Sequence, residues 1–288
     1  MKKLIKVICV VSVIALSGCG TNQPAPNPGT QGQKNSSKQN IVQQQTRNAE
    51  RISLAENDLD HTYYKTAIGK SGAELKQALN DIISKQEVIS YRDATEALRD
   101  TDEDPNNKDN VLLLYAGRSV KKANYDSQWN KEHVWAKSHG DFGTGHGMGS
   151  DLHNLRAEDP GVNSDRGRLD FDKSDDEYPK EEAPDTHWDQ DSWEPRDEVK
   201  GDVARIILYM DTRYDEDDWK DLKVVDRTVR DKSPLHGKLS ALLKWHNEDA
   251  VDDFERRRNN VIYEKYQHNR NPFIDHPEWV NQIWGGQQ

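Results

Sequence analysis

Between Trp129 and Arg168 the sequence gathers Glu132-His133-Val134-Trp135-Ala136, a glycine-rich connection over 140–149, Asp151-Leu152-His153-Asn154-Leu155 and Val162-Asn163-Ser164-Asp165-Arg166-Gly167. Clustered glycines interrupt regular structure. The polar motifs on either side therefore belong to short elements, and a small β element is expected to carry them.

The remainder reads as mostly helical. Ser71-Gly72-Ala73-Glu74 has the form of a capping box, and Leu75, Ala78, Leu79, Ile82 and Ile83 follow at the spacing of one helix face. Ser90 to Asp100 reads as a second helix with Ala94, Ala97 and Leu98 inward, followed by a turn at Asp104-Pro105-Asn106-Asn107. Val111 to Tyr115 reads as a buried strand. Helices are expected from around Arg196 to Asp202 onward, over Leu235 to Trp245 and over Val251 to Tyr266. The class is α+β, with helices dominant.

The N-terminus differs in kind. Lys2, Lys3 and Lys6 precede an apolar run, Val7 to Leu16, that is too short for a resident membrane span and reads as an export signal. Leu16-Ser17-Gly18-Cys19 resembles a bacterial lipobox, which predicts a signal peptide over 1–18 and lipidation of Cys19. From 19 to 48 the chain is rich in Asn, Gln, Pro, Gly and Ser and reads as a flexible tether. One folded domain is expected over 49–286. With Cys9 in the discarded segment and Cys19 acylated, that domain has no cysteine for a disulfide.

Some of these residues suit the hydrolysis of a phosphodiester. The reaction needs a water made nucleophilic and relief of negative charge in the transition state. His133 suits the first task, because an imidazole near neutrality accepts a proton without a permanent charge. A hard divalent cation suits the second. Mg²⁺ is expected, with Mn²⁺ or Ca²⁺ as alternatives, held by oxygens from Glu132 and Asn163. Strand geometry sets one condition: adjacent strand residues face opposite sides, so Glu132 and His133 share a site only if the strand is bulged, twisted or ending there.

Trp129 to Trp135, Asp151 to Arg156, Val162 to Gly167 and Asn269-Arg270-Asn271-Pro272-Phe273-Ile274-Asp275-His276-Pro277 together resemble bacterial extracellular and periplasmic nucleases of the endonuclease I family, in particular its secreted Bacillus ribonuclease branch. The resemblance implies a ββα-metal core related to HNH nucleases. It implies that His133 activates water, that Glu132 and Asn163 bind metal, and that Asn154 fixes the loop bearing the histidine. It also implies little sequence specificity and 5′-phosphate products. A loop arginine near the scissile phosphate occurs in some relatives, and Arg156, Arg166 and Arg168 are the candidates for it.

Other residues have plainer expected roles. His153, His139 and His146 are weaker candidates for the base; for His153 a packing or hydrogen-bonding role is expected ahead of contact with metal or substrate, and 140–149 reads as a mobile connection that could serve as a lid over substrate. Trp135 and Trp193 read as core, and most of Asn269 to Pro277 as a brace, with Arg270 kept as a phosphate contact. The formal charge of -11 does not exclude a polyanion substrate, because a local basic cleft and a metal ion act at short range. Expected partners are RNA, DNA or both, and a membrane through the lipid anchor alone, for a monomer. The competing reading is a catalytically inactive surface lipoprotein that binds nucleic acid or a protein.

Overall fold

A computed structural model describes residues 58–145 and 147–286. The expected signal peptide, the lipidated Cys19, the tether over 19–48 and His146 lie outside the described residues.

Helix α1 (Gly72–Ile83) buries the predicted stripe of Leu75, Ala78, Leu79, Ile82 and Ile83. The expected capping box is not formed. Ser71 makes no side-chain cap bond, and the Glu74 carboxylate pairs instead with Lys70, a charged partner that outcompetes a neutral backbone N–H. Helix α2 (Tyr91–Thr101) is capped by Ser90, which accepts from the Asp93 N–H at 3.1 Å, and turns Ala94, Ala97 and Leu98 inward.

Strands β1 (Glu103–Asp104), β2 (Asn107–Leu112) and β3 (Ser119–Lys121) form an antiparallel sheet, with the predicted turn between the first two. The expected strand over Val111 to Tyr115 is displaced. Its strand pairing ends at Leu112, and the chain then turns through Gly117, whose φ of 63° suits glycine. Leu113, Leu114 and Tyr115 remain buried, so the apolar run marks depth here and not strand.

Next come β4 (Asn130–His133), β5 (Leu155–Glu158) and helix α3 (Pro160–Arg166). The two strands pair antiparallel in regular register, Asn130 opposite Glu158 and His133 opposite Leu155. Asp159 caps α3 by accepting from the N–H groups of Gly161 and Val162 at 2.8 and 3.2 Å, and Pro160 fills the first helical position. Asn163 is thus mid-helix and free of capping duty.

Strands β6 (Asp170–Phe171), β7 (Asp176–Glu177), β8 (His187–Trp188) and β9 (Ser192–Glu194) make a sheet of order β6-β9-β8-β7. Helix α4 (Lys200–Arg213) is buried along nearly its whole length. Short strands β10 (Lys223–Val224) and β11 (Leu235–His236) pair in parallel. Leu235 and His236, expected to open a helix, therefore belong to a strand, and α5 covers Leu239–Glu248. Helix α6 (Asp253–Lys265) carries the capping box that α1 lacks, built by Asp252 and Glu255. Helices α7 (Pro272–Asp275) and α8 (Glu278–Trp284) complete the described chain.

Two apolar clusters result. The larger joins α1, α4, α5 and α8 and includes Val134, Trp135 and Val162, while the smaller joins α2 and β2 to Trp129, Leu155 and Ala157. The β4–β5 ribbon and the residues just beyond it contribute to both. Its polar side chains are therefore held by packing above and below.

Candidate active site on the strand–strand–helix unit

Strand alternation sorts the ribbon into two faces. Lys131, His133, Leu155 and Ala157 face α2, whereas Asn130, Glu132, Arg156 and Glu158 face the other way. Contacts agree with this division. Lys131 Nζ lies 4.0 Å from the Tyr91 ring centroid and donates to Tyr125 Oη at 2.8 Å, while Glu132 meets Tyr115 and Arg166.

Helix α3 lies along the Glu132 face and is tied to β4 by two rungs. Asn163 Nδ2 donates to Asn130 Oδ1 at 2.8 Å and to the Lys131 carbonyl at 3.1 Å. One helical turn on, Arg166 Nη1 donates to Glu132 Oε1 at 3.0 Å. Strand spacing i, i+2 is thereby matched to helix spacing i, i+3. The structure thus brings Glu132 and Asn163 to one seam.

Their free atoms suit a hard cation. Tyr115 Oη, at 2.8 Å, and Arg166 both donate to Oε1 of Glu132, which leaves Oε2 without a side-chain partner among the described residues, and the His133 N–H also bonds the carboxylate. Asn163 spends its Nδ2 on the strand, leaving Oδ1 likewise without a side-chain partner. Burial pushes the Glu132 carboxyl up from its ordinary value, opposed by Arg166 and Tyr115. Among the described residues no group of three or more His, Cys, Asp or Glu side chains is placed to hold a metal. One carboxylate and one amide with several waters is a donor set that Mg²⁺ accepts.

His133 is the last residue of β4, which carries no bulge. Regular pairing stops at His133, but the two adjacent side chains are not turned to one face. The ring stacks on Tyr91 at 5.7 Å and 11°, and its Nε2 lies 3.0 Å from the Gly149 carbonyl oxygen. Since a carbonyl only accepts, the proton sits on Nε2 and Nδ1 is left as the proton acceptor. Nδ1 has no partner among the described residues and is not fully buried. Burial pushes the imidazole down to about 4; Lys137, Lys131 and Arg166 act in the same direction, and the Gly149 bond opposes them. His133 and the Glu132–Asn163 pair leave the strand on opposite faces and flank its end.

Asn154 fixes the chain just beyond the histidine. Its Oδ1 accepts from the Trp135 N–H at 2.7 Å and its Nδ2 donates to the Trp135 carbonyl at 3.2 Å, extending the ladder past β4. The 140–149 connection is anchored at its ends, while Asp141 and the stretch from Gly143 to Gly145 are exposed. Phe142 and Met148 are buried at its two ends, and a Cβ on Gly149 would lie 2.8 Å from the carbonyl oxygens of Gly143 and Gly145. Glycine at 149 lets the loop close on itself and present the carbonyl that orients His133.

The predicted arginines divide sharply. Arg156 is buried, bonded to Asp102 at 3.3 Å and Asp202 at 3.2 Å, and Arg270 is buried against Asp275 at 2.6 Å. Arg166 is 0% exposed and also donates to the backbone carbonyls of His133 and Val134, at 3.0 and 2.7 Å. Each of the three is matched to a carboxylate inside the fold, so the structure gives them bracing positions instead of phosphate contacts. Arg168 is exposed and lines an open groove of about 480 Å³ with Leu169, Trp188 and Gln190.

His153 packs on Tyr209, as expected, and His139 bonds the Arg168 carbonyl at 2.9 Å; both are interior. Trp135 and Trp193 are wholly buried. Tyr115, Asn130 and Gly149 are site residues that the sequence did not single out. Tyr115 lay hidden in an apolar run, and Asn130 stood inside a quoted motif without a role.

The model of the family described as Endonuclease I matches residues 71–278. Proteins named extracellular ribonuclease from Bacillus subtilis (strain 168) and from Bacillus amyloliquefaciens are each 56% identical over 227 residues, covering 77% of this chain and 78% of the relative. The family match contains the whole β4–β5–α3 unit and every site residue just described, and the chain belongs to the endonuclease I family.

Proposed function

We propose that the chain is an exported, metal-dependent endonuclease that hydrolyses phosphodiester bonds of RNA, DNA or both, with little sequence preference and 5′-phosphate products. The observation that carries this reading is that α3 ties Asn163 and Arg166 along the strand face of Glu132, next in sequence to an imidazole whose Nε2 is committed to Gly149. The two curated relatives named extracellular ribonuclease support both the class of substrate and the export.

In this reading a scissile phosphate straddles the end of β4. His133 Nδ1 takes a proton from the attacking water on one side of the strand. Glu132 and Asn163 would hold a divalent cation, which when bound would supply positive charge against the phosphate as the transition state forms. Tyr115 and Arg166 hold the carboxylate, and Asn154 holds the chain after the histidine. In this reading the β4–β5–α3 unit is a ββα-metal core of the kind HNH nucleases share.

The test is incubation of the full chain with matched labelled RNA and DNA, with Mg²⁺ and with chelator. Metal-dependent cutting supports the reading. Binding without cleavage in every metal condition would favour an inactive nucleic-acid-binding lipoprotein. Anchoring through Cys19 is proposed alongside, and Cys19→Ser should release the protein from membranes.

A further inference from the structure

We propose that Asn130 is a positioning residue that aims the side-chain oxygen of Asn163 at the cation; this rests on the reading of Asn163 as a metal ligand. An asparagine amide presents a donor end and an acceptor end of nearly equal shape, and only the acceptor end binds a cation. The orientation is set by what the donor end meets. Here Nδ2 meets Asn130 Oδ1 at 2.8 Å and the Lys131 carbonyl at 3.1 Å. A backbone carbonyl cannot donate, so the amide end facing the strand is the nitrogen. Its two N–H groups have two acceptors, and Oδ1 is turned away from β4.

Asn130 supplies the shorter of the two bonds, and it does so from the same strand face that carries Glu132. One strand thus provides the charged ligand itself and the group that orients the neutral one. With alanine at 130 a single hydrogen bond to Lys131 remains, and the amide can swing about it. Asn130 touches neither the cation nor the substrate in this scheme. It acts as outer partners of metal ligands do, where removal costs about 10- to 100-fold in metal affinity.

The experiment measures Mn²⁺ binding to the full chain by electron paramagnetic resonance, without substrate, for wild type, Asn130→Ala, Asn130→Asp and Asn163→Ala. Asn130→Ala should weaken Mn²⁺ at least about tenfold. Asn130→Asp keeps an acceptor for Nδ2 and should stay within about threefold of wild type or bind more tightly. The cleavage rate of Asn130→Ala should recover toward wild type as Mn²⁺ is raised, which a general loss of structure would not do. If Asn130→Ala does not fold, Asn130→Ser, too short to reach Nδ2, carries the same expectation. Wild-type Mn²⁺ affinity in the Ala or Ser variant, with Asn163→Ala weakened, overturns the role of Asn130 alone. Wild-type affinity in Asn163→Ala overturns the ligand assignment and this inference with it.

Discussion

Arg166 and Glu132 form a buried ion pair at 3.0 Å, and the same guanidinium nitrogen also donates to the backbone carbonyl of His133. One side chain from α3 therefore fixes a proposed metal ligand and the backbone of the proposed base. Arg166→Ala leaves a buried carboxylate unpaired, so stability should fall by about 3–5 kcal/mol. Denaturant unfolding checks this. A variant as stable as wild type with only a raised KM would mean that Arg166 serves substrate after all.

His133 carries a prediction in pH. Burial holds its imidazole down to about 4, below the usual histidine value, so the ring is neutral and able to accept a proton at all pH values above that. The acid limb of kcat/KM, which reports the free enzyme, should therefore rise with an apparent pKa of about 4. A pH–rate profile, paired with an NMR titration of the His133 ring, makes the measurement. An acid limb at the ordinary histidine value would mean that the base is exposed or is another group.

The Gly149 loop makes a separate demand. A Cβ there would approach the carbonyl oxygens of Gly143 and Gly145 to 2.8 Å, so Gly149→Ala must shift the carbonyl that His133 meets. A misplaced base costs rate steeply, and kcat should fall about 10- to 100-fold. The strain itself should cost about 1–3 kcal/mol. Steady-state kinetics and a thermal melt check both parts; an unchanged kcat would show that Gly149 does not orient the base.

The motifs were legible because chemistry-bearing residues are scarce and these stand close in sequence. Helices announced themselves by period, as the stripe from Leu75 to Ile83 shows. Long-range partnership was hidden. Arg156 and Arg270 look like free cations until Asp102, Asp202 and Asp275 fold against them. Likewise Val111 to Tyr115 has strand composition, but pairing stops at Leu112 and the rest of the run delivers the Tyr115 phenol to Glu132. Local pattern reports burial well and hydrogen-bond partners poorly.

Arg168 is an exposed arginine just after α3, in the groove with Trp188. If it contacts the polymer backbone, Arg168→Ala should raise KM with kcat little changed and reduce the salt slope of binding by about one unit. Binding titrations across a salt series supply the slope. An unchanged slope would remove Arg168 from the substrate path.

The most direct test of a base and a cation acting together at the end of β4 is a Mg²⁺ titration of single-turnover RNA cleavage by wild type, Glu132→Ala and His133→Ala. Chelator should stop the wild type, and Glu132→Ala should shift the metal midpoint upward. His133→Ala should lose about 10²–10⁴ in rate with its metal midpoint unmoved, because the proposed base and the proposed ligands leave β4 on opposite faces. Cleavage that survives chelation, or near-normal turnover by His133→Ala, would contradict that arrangement.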